Sequence, residues 1–540
     1  MSRFALEKLM LFINKCKYQS KKSVTKLLML SAIPCAFTSM TSSAATSLMV
    51  SGHAGFVGEW SKNNPPNALS FSALRVPIGL TLEARPTDNF SLFLGFEYAY
   101  NNYPGPSVFL GQTTATSSNK PNPNENGLNY PLPFANTVGA SSPYSQRIDS
   151  IFISQAYFSY QTSLGLIRAG RMPRHWGLGI WKNAEWTPFS GLPSTSDAVA
   201  FTADFNSFDI NLYYEKYAES VGGTSIDAEA NAYTVEAKLK SDPSDVTSSG
   251  ISQELGLLYT KFSHSKSNTD LNILDAYAKL YISKFYLGAE LLYPTGTTQS
   301  PNYRSLGGAG DCDTSSLTGL TCNNQKISAF ASLLKIKYQF DSDKYTSIAA
   351  TEKSQNVLGT EERKISNVAG LMAGYVSGGS NQFESNIVSN SNEINAISLN
   401  SNIQPAILMF NSTIPAINGM PGGMLTNTTF VRLDYTYENP NYGSFSPAFI
   451  WGKINNLNNN YAASCNTSSP SMDSPINVMC VGNNKNLGFE LDFSYRYTTL
   501  DRVTFGMDAA YWYVGKAWEV YNQALNTSSF ALRASVATQF

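Results

Sequence analysis

The string Gly170-Arg171-Met172-Pro173-Arg174-His175-Trp176-Gly177-Leu178-Gly179 gathers more chemical potential than any other in the chain, with Arg168 just before it and Trp181 and Trp186 just after. Guanidinium groups stay charged and present a planar fork of donors that matches carboxylates, while glycines let backbone turn sharply or pack closely. Two arrangements fit. In one, the segment folds inward, and Arg168, Arg171 and Arg174 line a constriction that faces carboxylates on other elements. In the other, the tryptophans sit in an aromatic belt and the arginines pair with acidic residues at a rim.

Nucleophilic or metal chemistry has less support. His53, His175 and His264 are the only histidines, and they are scattered, with no His-x-x-x-His or Ser/His/Asp arrangement. Six cysteines are present. Cys312 and Cys322 lie close together, as do Cys465 and Cys480, but no histidine accompanies them and the spacings are not those of zinc sites. In an oxidising compartment each pair is a disulfide candidate, worth about 2 to 3 kcal/mol. No cofactor, metal or nucleotide-binding motif emerges, and an enzyme is not expected.

The elements that carry these residues show a period of two. Leu74, Val76, Ile78, Leu80 and Leu82 alternate with Arg75, Pro77, Gly79, Thr81 and Glu83, and a turn at 86–89 leads into a second alternating run that contains Glu97. Near the other end, Leu487, Phe489, Leu491 and Phe493 alternate with Gly488, Glu490, Asp492 and Ser494, and Arg496 continues the polar face. Asp508 lies on the polar face of the run that follows. Successive strand residues face opposite sides, so a sheet with one apolar face reads this way. Similar runs recur, most of them about 9 to 13 residues long, the length that crosses a bilayer at a tilt. Short turns such as 206–207, 283–284 and 341–344 alternate with long polar connections such as 101–146, 173–197, 295–324 and 455–485.

Between 345 and 429 a strand fits at 345–353 or at 365–377. Either choice gives 18 strands, within a range of 16 to 20. No stretch after Ala45 has the 18 or more apolar residues of a membrane-spanning helix, so a membrane location requires a closed barrel. The expected fold is an all-β transmembrane antiparallel barrel with short periplasmic turns and long extracellular loops.

Residues 1–45 read separately. Seven basic residues precede the apolar run 27–37 and a small-residue stretch, the pattern of a secretory signal cleaved after Ala45. Residues 46–540 then form one domain. The whole chain carries 38 basic and 39 acidic side chains. Seven of the former and one of the latter lie in the leader, so the remainder has a net charge of −7. Only 14% of the residues are charged, well below the roughly 25% of soluble domains. With alternate residues turned to lipid, that deficit is expected. No basic run after residue 26 suggests nucleic acid.

Phe540 ends an alternating run of Phe530, Leu532, Ala534, Val536 and Thr538. This terminal strand resembles those of Gram-negative outer-membrane porins, and the Gly-Arg followed by Trp-Gly-x-Gly is similar to a feature of porin-like and alginate-export-like barrels. The resemblance covers the architecture of the mature chain. It implies assembly by the barrel assembly machinery, with Phe540 as signal, and contact with outer-membrane lipid and lipopolysaccharide, as a monomer or a homotrimer.

The polar faces supply the pore-lining candidates Arg75, Glu83, Glu97, Arg168, Arg171, Arg174, Lys335, Lys337, Arg432, Asp434, Glu490, Asp492, Arg496 and Asp508. Charges inside a membrane wall must face water or a partner. About 18 strands are enough to enclose an aqueous channel, so the expected activity is passive diffusion of small hydrophilic solutes with at most a weak cation preference. The alternatives are a dedicated polysaccharide or sugar channel for export or uptake, and a non-conducting structural or adhesive barrel. The connection 404–425 is rich in Ile, Leu, Met and Phe, too apolar for an ordinary external loop. It suits a plug, a clasp on a neighbouring subunit or an extra hairpin.

Overall fold

The computed structural model describes residues 47–64, 69–103, 146–185, 194–218, 230–241, 251–264, 268–298, 325–340, 366–378, 393–395, 397, 399–400, 402–410, 425, 427–439, 441–456, 485–499, 503–518 and 528–540. The leader, the four loop cysteines, Trp186 and the alternative strand at 345–353 lie outside the described residues, and so does the side chain of Arg75.

Twenty strands are described. They begin with β1 Ser47–Asn64, β2 Leu69–Thr87, β3 Phe90–Tyr103, β4 Gln146–Gln161, β5 Leu166–Pro173, β6 Thr195–Asp204 and β7 Phe208–Ala218. Next come β8 Ala230–Lys240, β9 Ile251–His264, β10 Thr269–Ile282, β11 Phe285–Thr298, β12 Gln325–Ser328, β13 Ala331–Gln339 and β14 Ser366–Val376. The last are β15 Glu393–Ile394, β16 Thr428–Asn439, β17 Gly443–Ile454, β18 Asn486–Thr498, β19 Val503–Val514 and β20 Ser528–Gln539. The one described helical piece is a 3-10 turn at Lys516–Trp518.

Each wall strand pairs antiparallel with its neighbours in sequence. Two-residue β15 lies parallel to β12. β12 and β13 both pair with β11 and form one wall strand, interrupted at Ala329 and Phe330. The last strand then returns to the first, with His53 opposite Gln539 and Lys62 opposite Phe530. Counted this way the wall has 18 strands and is closed, as the alternation predicted. Of the two segments open between 345 and 377, the second supplies the wall strand β14.

Alternation sets the two faces. Along β19, Phe505, Met507, Tyr511 and Tyr513 are exposed on the outside while Gly506, Asp508, Ala510 and Trp512 are buried inside. Along β7, Leu212 and Tyr214 point out while Asp209, Asn211 and Glu215 point in. An apolar exterior around a closed, fully paired wall satisfies every backbone group without water, the condition for crossing lipid with strands. This is the architecture of a transmembrane β-barrel.

One end of the barrel carries tight turns, including 88–89, 205–207, 283–284 and 441–442. Positive-φ Asn206 and Ser283 sit in two of them. Both described chain ends, Ser47 and Phe540, lie at this end, and Gly52 and Phe540 exchange backbone hydrogen bonds of 2.8 and 3.0 Å. Most long connections leave from the other end, but the one from β13 to β14 leaves from this end: it spans residues 340–365 in place of the short turn expected at 341–344, because the partner strand begins only at Ser366.

Candidate functional site: the barrel lumen

Two connections turn back into the lumen. The first, residues 174–185, leaves β5; the second, residues 399–410, belongs to the connection between β14 and β16. Their buried apolar side chains, Trp176, Leu178, Ile180 and Trp181 from the first and Ile403, Ile407, Leu408, Met409 and Phe410 from the second, pack on inner-wall residues such as Leu258, Phe262, Ile273, Ile450 and Trp512. The large apolar core of this molecule therefore lies inside the barrel, not between layers.

Charged side chains hold the first segment. Arg174 donates to Glu236 at 2.8 Å, lies 3.6 Å from Glu215, and stacks with its guanidinium carbon 3.3 Å from the Tyr213 ring centre. Lys182 donates to both oxygens of Glu215 at 2.8 and 2.7 Å. All four charged groups are buried. Ion pairs this far from water persist only when closely matched and hydrogen-bonded. His175 lies 3.8 Å from Glu185.

Glu290 of β11 accepts the backbone N–H of Leu178, with that of Ile180 also within reach. Gly177 makes this approach possible. Its φ is +56°, and a β-carbon there would stand 2.7 Å from the Glu290 carboxyl carbon.

The second segment has no charged residue between 399 and 410. Its backbone is gripped instead. Glu490 of β18 accepts three successive N–H groups, from Ile407 at 2.9 Å, Leu408 at 2.7 Å and Met409 at 2.6 Å. Arg432 donates to the Pro405 carbonyl at 2.8 Å and Arg533 to the Ile407 carbonyl at 3.1 Å. Glu59 lies 3.3 Å from Arg533. Gly452 leaves room on β17 for this segment, since a β-carbon there would meet Met409 Sδ at 2.9 Å and Phe410 Cζ at 3.0 Å.

The two segments also touch. The Asn400 N–H donates to the Ile180 carbonyl at 2.8 Å, and its side-chain amide donates to the Trp181 carbonyl at 3.0 Å and to Ser194 at 3.1 Å. Asn402 reaches the Glu185 carbonyl at 3.2 Å. Together they form a bridge across the lumen, near mid-height and toward the long-loop end.

Toward the tight-turn end the inward face is polar and wetter. Cross-strand register places Lys240 opposite Glu254, Glu254 opposite Lys279, Gly288 opposite Lys335, Lys335 opposite Met372 and Met372 opposite Arg432. Lys337 lies opposite Gly370, and Gly370 opposite Asp434. Arg496 pairs with Asp508 at 2.7 Å. Elsewhere on the inward face Arg168 donates to Tyr213 at 3.3 Å and Thr202 at 3.4 Å, Glu83 pairs with Arg85 at 2.5 Å, and Glu97 lies 3.2 Å from His53. Glu254 and Arg496 keep 34% and 30% of their side chains exposed although they point inward. Water therefore reaches this part of the lumen.

The sequence candidates separate into three groups. Arg174, Glu490, Asp492 and Arg432 stand at the bridge, with Asp492 buried 3.7 Å from Arg432. Glu83, Glu97, Arg168, Lys335, Lys337, Asp434, Arg496 and Asp508 line the rest of the inward face. Arg171 stands elsewhere: it faces outward and forms a bidentate pair with Asp197 at 2.7 Å. Its neighbour Met172 is the inward residue, and strand parity sends Arg171 to the opposite side. Arg174 comes after the strand has ended at Pro173, so parity no longer governs it.

Lys182, Glu59, Asn400 and Asn402 take part in the bridge contacts but were not among the sequence candidates. Glu59 carried a usable signal, since it alternates with Val57 and Ser61 on β1. The asparagines carried none, because their role depends on a segment more than 200 residues away.

No protein-family model matches the chain, and no curated protein matches it in sequence. Solved structures are similar to it in three dimensions. OccAB1 of Acinetobacter baumannii is 9% identical with a TM-score of 0.44, over 91% of this chain and 97% of that one. OccK2 (OpdF) of Pseudomonas aeruginosa, solved in complex with glucuronate, is 9% identical with a TM-score of 0.44, over 92% and 98%. The outer membrane protein OprD of Pseudomonas aeruginosa is 10% identical with a TM-score of 0.41, over 91% and 94%. The barrel of this chain is established by its own strand pairing.

Proposed function

We propose that the barrel is an outer-membrane channel for passive diffusion of small hydrophilic solutes, narrowed by the two inward segments. One observation carries the reading. Charged side chains such as Glu254 and Arg496 point into the lumen yet stay in contact with water, on the tight-turn side of the buried bridge. A barrel built solely as a scaffold has no need of a wetted, charged interior, whereas a solute path requires one.

The tight-turn end is then the periplasmic vestibule and the bridge the constriction. Glu215, Glu236, Glu290 and Glu490 are bonded to the bridge, which withdraws them from the aqueous surface. The slight excess of acids along the sequence is thereby reduced at the surface a solute meets, and the pore has at most a weak cation preference. The leader 1–45 is removed on export, which N-terminal sequencing of membrane-extracted protein checks.

Planar-bilayer recording on the refolded protein tests the reading. Discrete ion conductance is expected, and deletion of residues 403–410 raises it clearly. A silent bilayer with correctly folded protein overturns the channel and leaves a structural or adhesive barrel. Swelling of liposomes in neutral and acidic sugars defines the solute class, and uptake confined to one sugar would instead indicate a dedicated channel.

A further inference from the structure

We infer that Glu490 is a positioning residue that sets the width of the constriction: its carboxylate is the latch for the segment 399–410, separate from the Glu290 latch on the segment 174–185. The inference deepens the channel reading and rests on it only for the consequence to conduction, not for the latch itself.

The geometry is specific to an anionic acceptor. Three consecutive backbone N–H groups converge on the two Glu490 oxygens, a concave set of donors of the kind that binds anions. Charge-assisted bonds of this type are roughly twice as strong as neutral ones. A glutamine there has one oxygen and an NH2 group that is itself a donor, so it cannot accept all three. The segment offers no charged side chain as a substitute. Among the described residues, Arg432 and Arg533 also hold this segment, each donating to one of its carbonyls. Those carbonyls can turn to water once the N–H groups are free.

Glu290 performs the same task on another strand and for another segment. The two latches act on backbone, so residue identity in the held segment matters less than the wall residue facing it. Ala406 is 3% exposed and Leu178 is 6% exposed in the latched state, which makes both positions reporters of release.

The test introduces a cysteine at Ala406 or at Leu178 in the full-length barrel and measures labelling by a water-soluble maleimide against the parent without that cysteine. Glu490→Gln is expected to raise labelling at position 406 by about tenfold or more and to leave position 178 nearly unchanged. Glu290→Gln is expected to do the reverse. Such a double dissociation does not arise from general loosening of the barrel. Glu490→Asp, one methylene shorter with its charge retained, is expected to give an intermediate rise and carries the test if Glu490→Gln fails to refold. Unchanged labelling at 406 in the Glu490 variants, or equal rises at both reporters, overturns the assignment. In bilayers Glu490→Gln is expected to raise single-channel conductance. A rise in labelling with conductance unchanged keeps the latch but overturns its role in setting the width of the constriction, whereas a silent bilayer for parent and variant alike overturns the channel reading and leaves the latch standing.

Discussion

The two inward segments occupy the same lumen, touch through Asn400, and are each gripped at the backbone by a wall glutamate, yet their side chains contribute in opposite ways. Residues 174–185 bring their own charges, and Arg174 and Lys182 meet Glu215 and Glu236 on the wall. Residues 399–410 bring none, and the wall supplies both the carboxylate and the guanidinium groups that bind their backbone. A segment held by its side chains is exacting about sequence. A segment held by its main chain leaves its side chains free to be apolar and to fill the barrel.

That difference predicts unequal responses to mutation. Glu215→Gln should have the largest effect, because it leaves Lys182 and part of Arg174 buried without a matched anion. About 3 to 5 kcal/mol of stability is expected to be lost, measured by urea unfolding of the refolded barrel followed through its heat-modifiable mobility. The segment 399–410 should stay protected from proteolysis in this variant, and its simultaneous release would erase the distinction between the two holds.

Gly177→Val comes next. It forces a branched side chain to adopt φ +56° against the Glu290 carboxyl, at a cost of about 1 to 3 kcal/mol in backbone strain alone. The expected result is higher conductance through displacement of the first segment, recorded in the same bilayer assay.

Asn400→Ala removes one side-chain hydrogen bond to Trp181 of the first segment and one to Ser194 and is expected to cost about 1 to 2 kcal/mol. Its signature is faster labelling at both reporters, since the bridge loses its joint while both latches remain. The smallest effect belongs to Arg171→Ala. The pair with Asp197 is about half exposed and faces outward, so stability should change by less than about 1 kcal/mol and ion selectivity should not change. A shift in selectivity would mean that the residue reaches the lumen.

Much of the wall was legible because lipid imposes period two on every strand, and tight turns keep the register from one strand to the next. Phe489 to Tyr497 and Val503 to Tyr513 could be read face by face, and the structure pairs Phe489 with Tyr513 and Asp492 with Ala510 accordingly. Leu487, expected on the outer face with them, is buried in the inner cluster instead, because the register shifts beside it, where Gly488 has a φ of +101°. The inward segments were visible only as anomalies: a Gly-Arg-Trp string where a loop was due, and an apolar connection where a polar one was due. Their destination was not legible, because alternation says which face a residue is on but not what stands across the barrel from it.

Composition and periodicity alone thus determined that this chain builds a closed strand wall with an apolar exterior and charges inside, since the bilayer admits no other way to satisfy so many backbone groups. Tertiary structure decided which of those charges meet water and which grip a folded-back segment. Glu490 and Glu254 look alike along the chain, both acids on an inward face. One is buried under three N–H groups of a segment some 80 residues away, and the other stands in the wet vestibule. The reason is geometric: strand parity is local, whereas the position of a loop inside the barrel depends on closure of the whole wall around it.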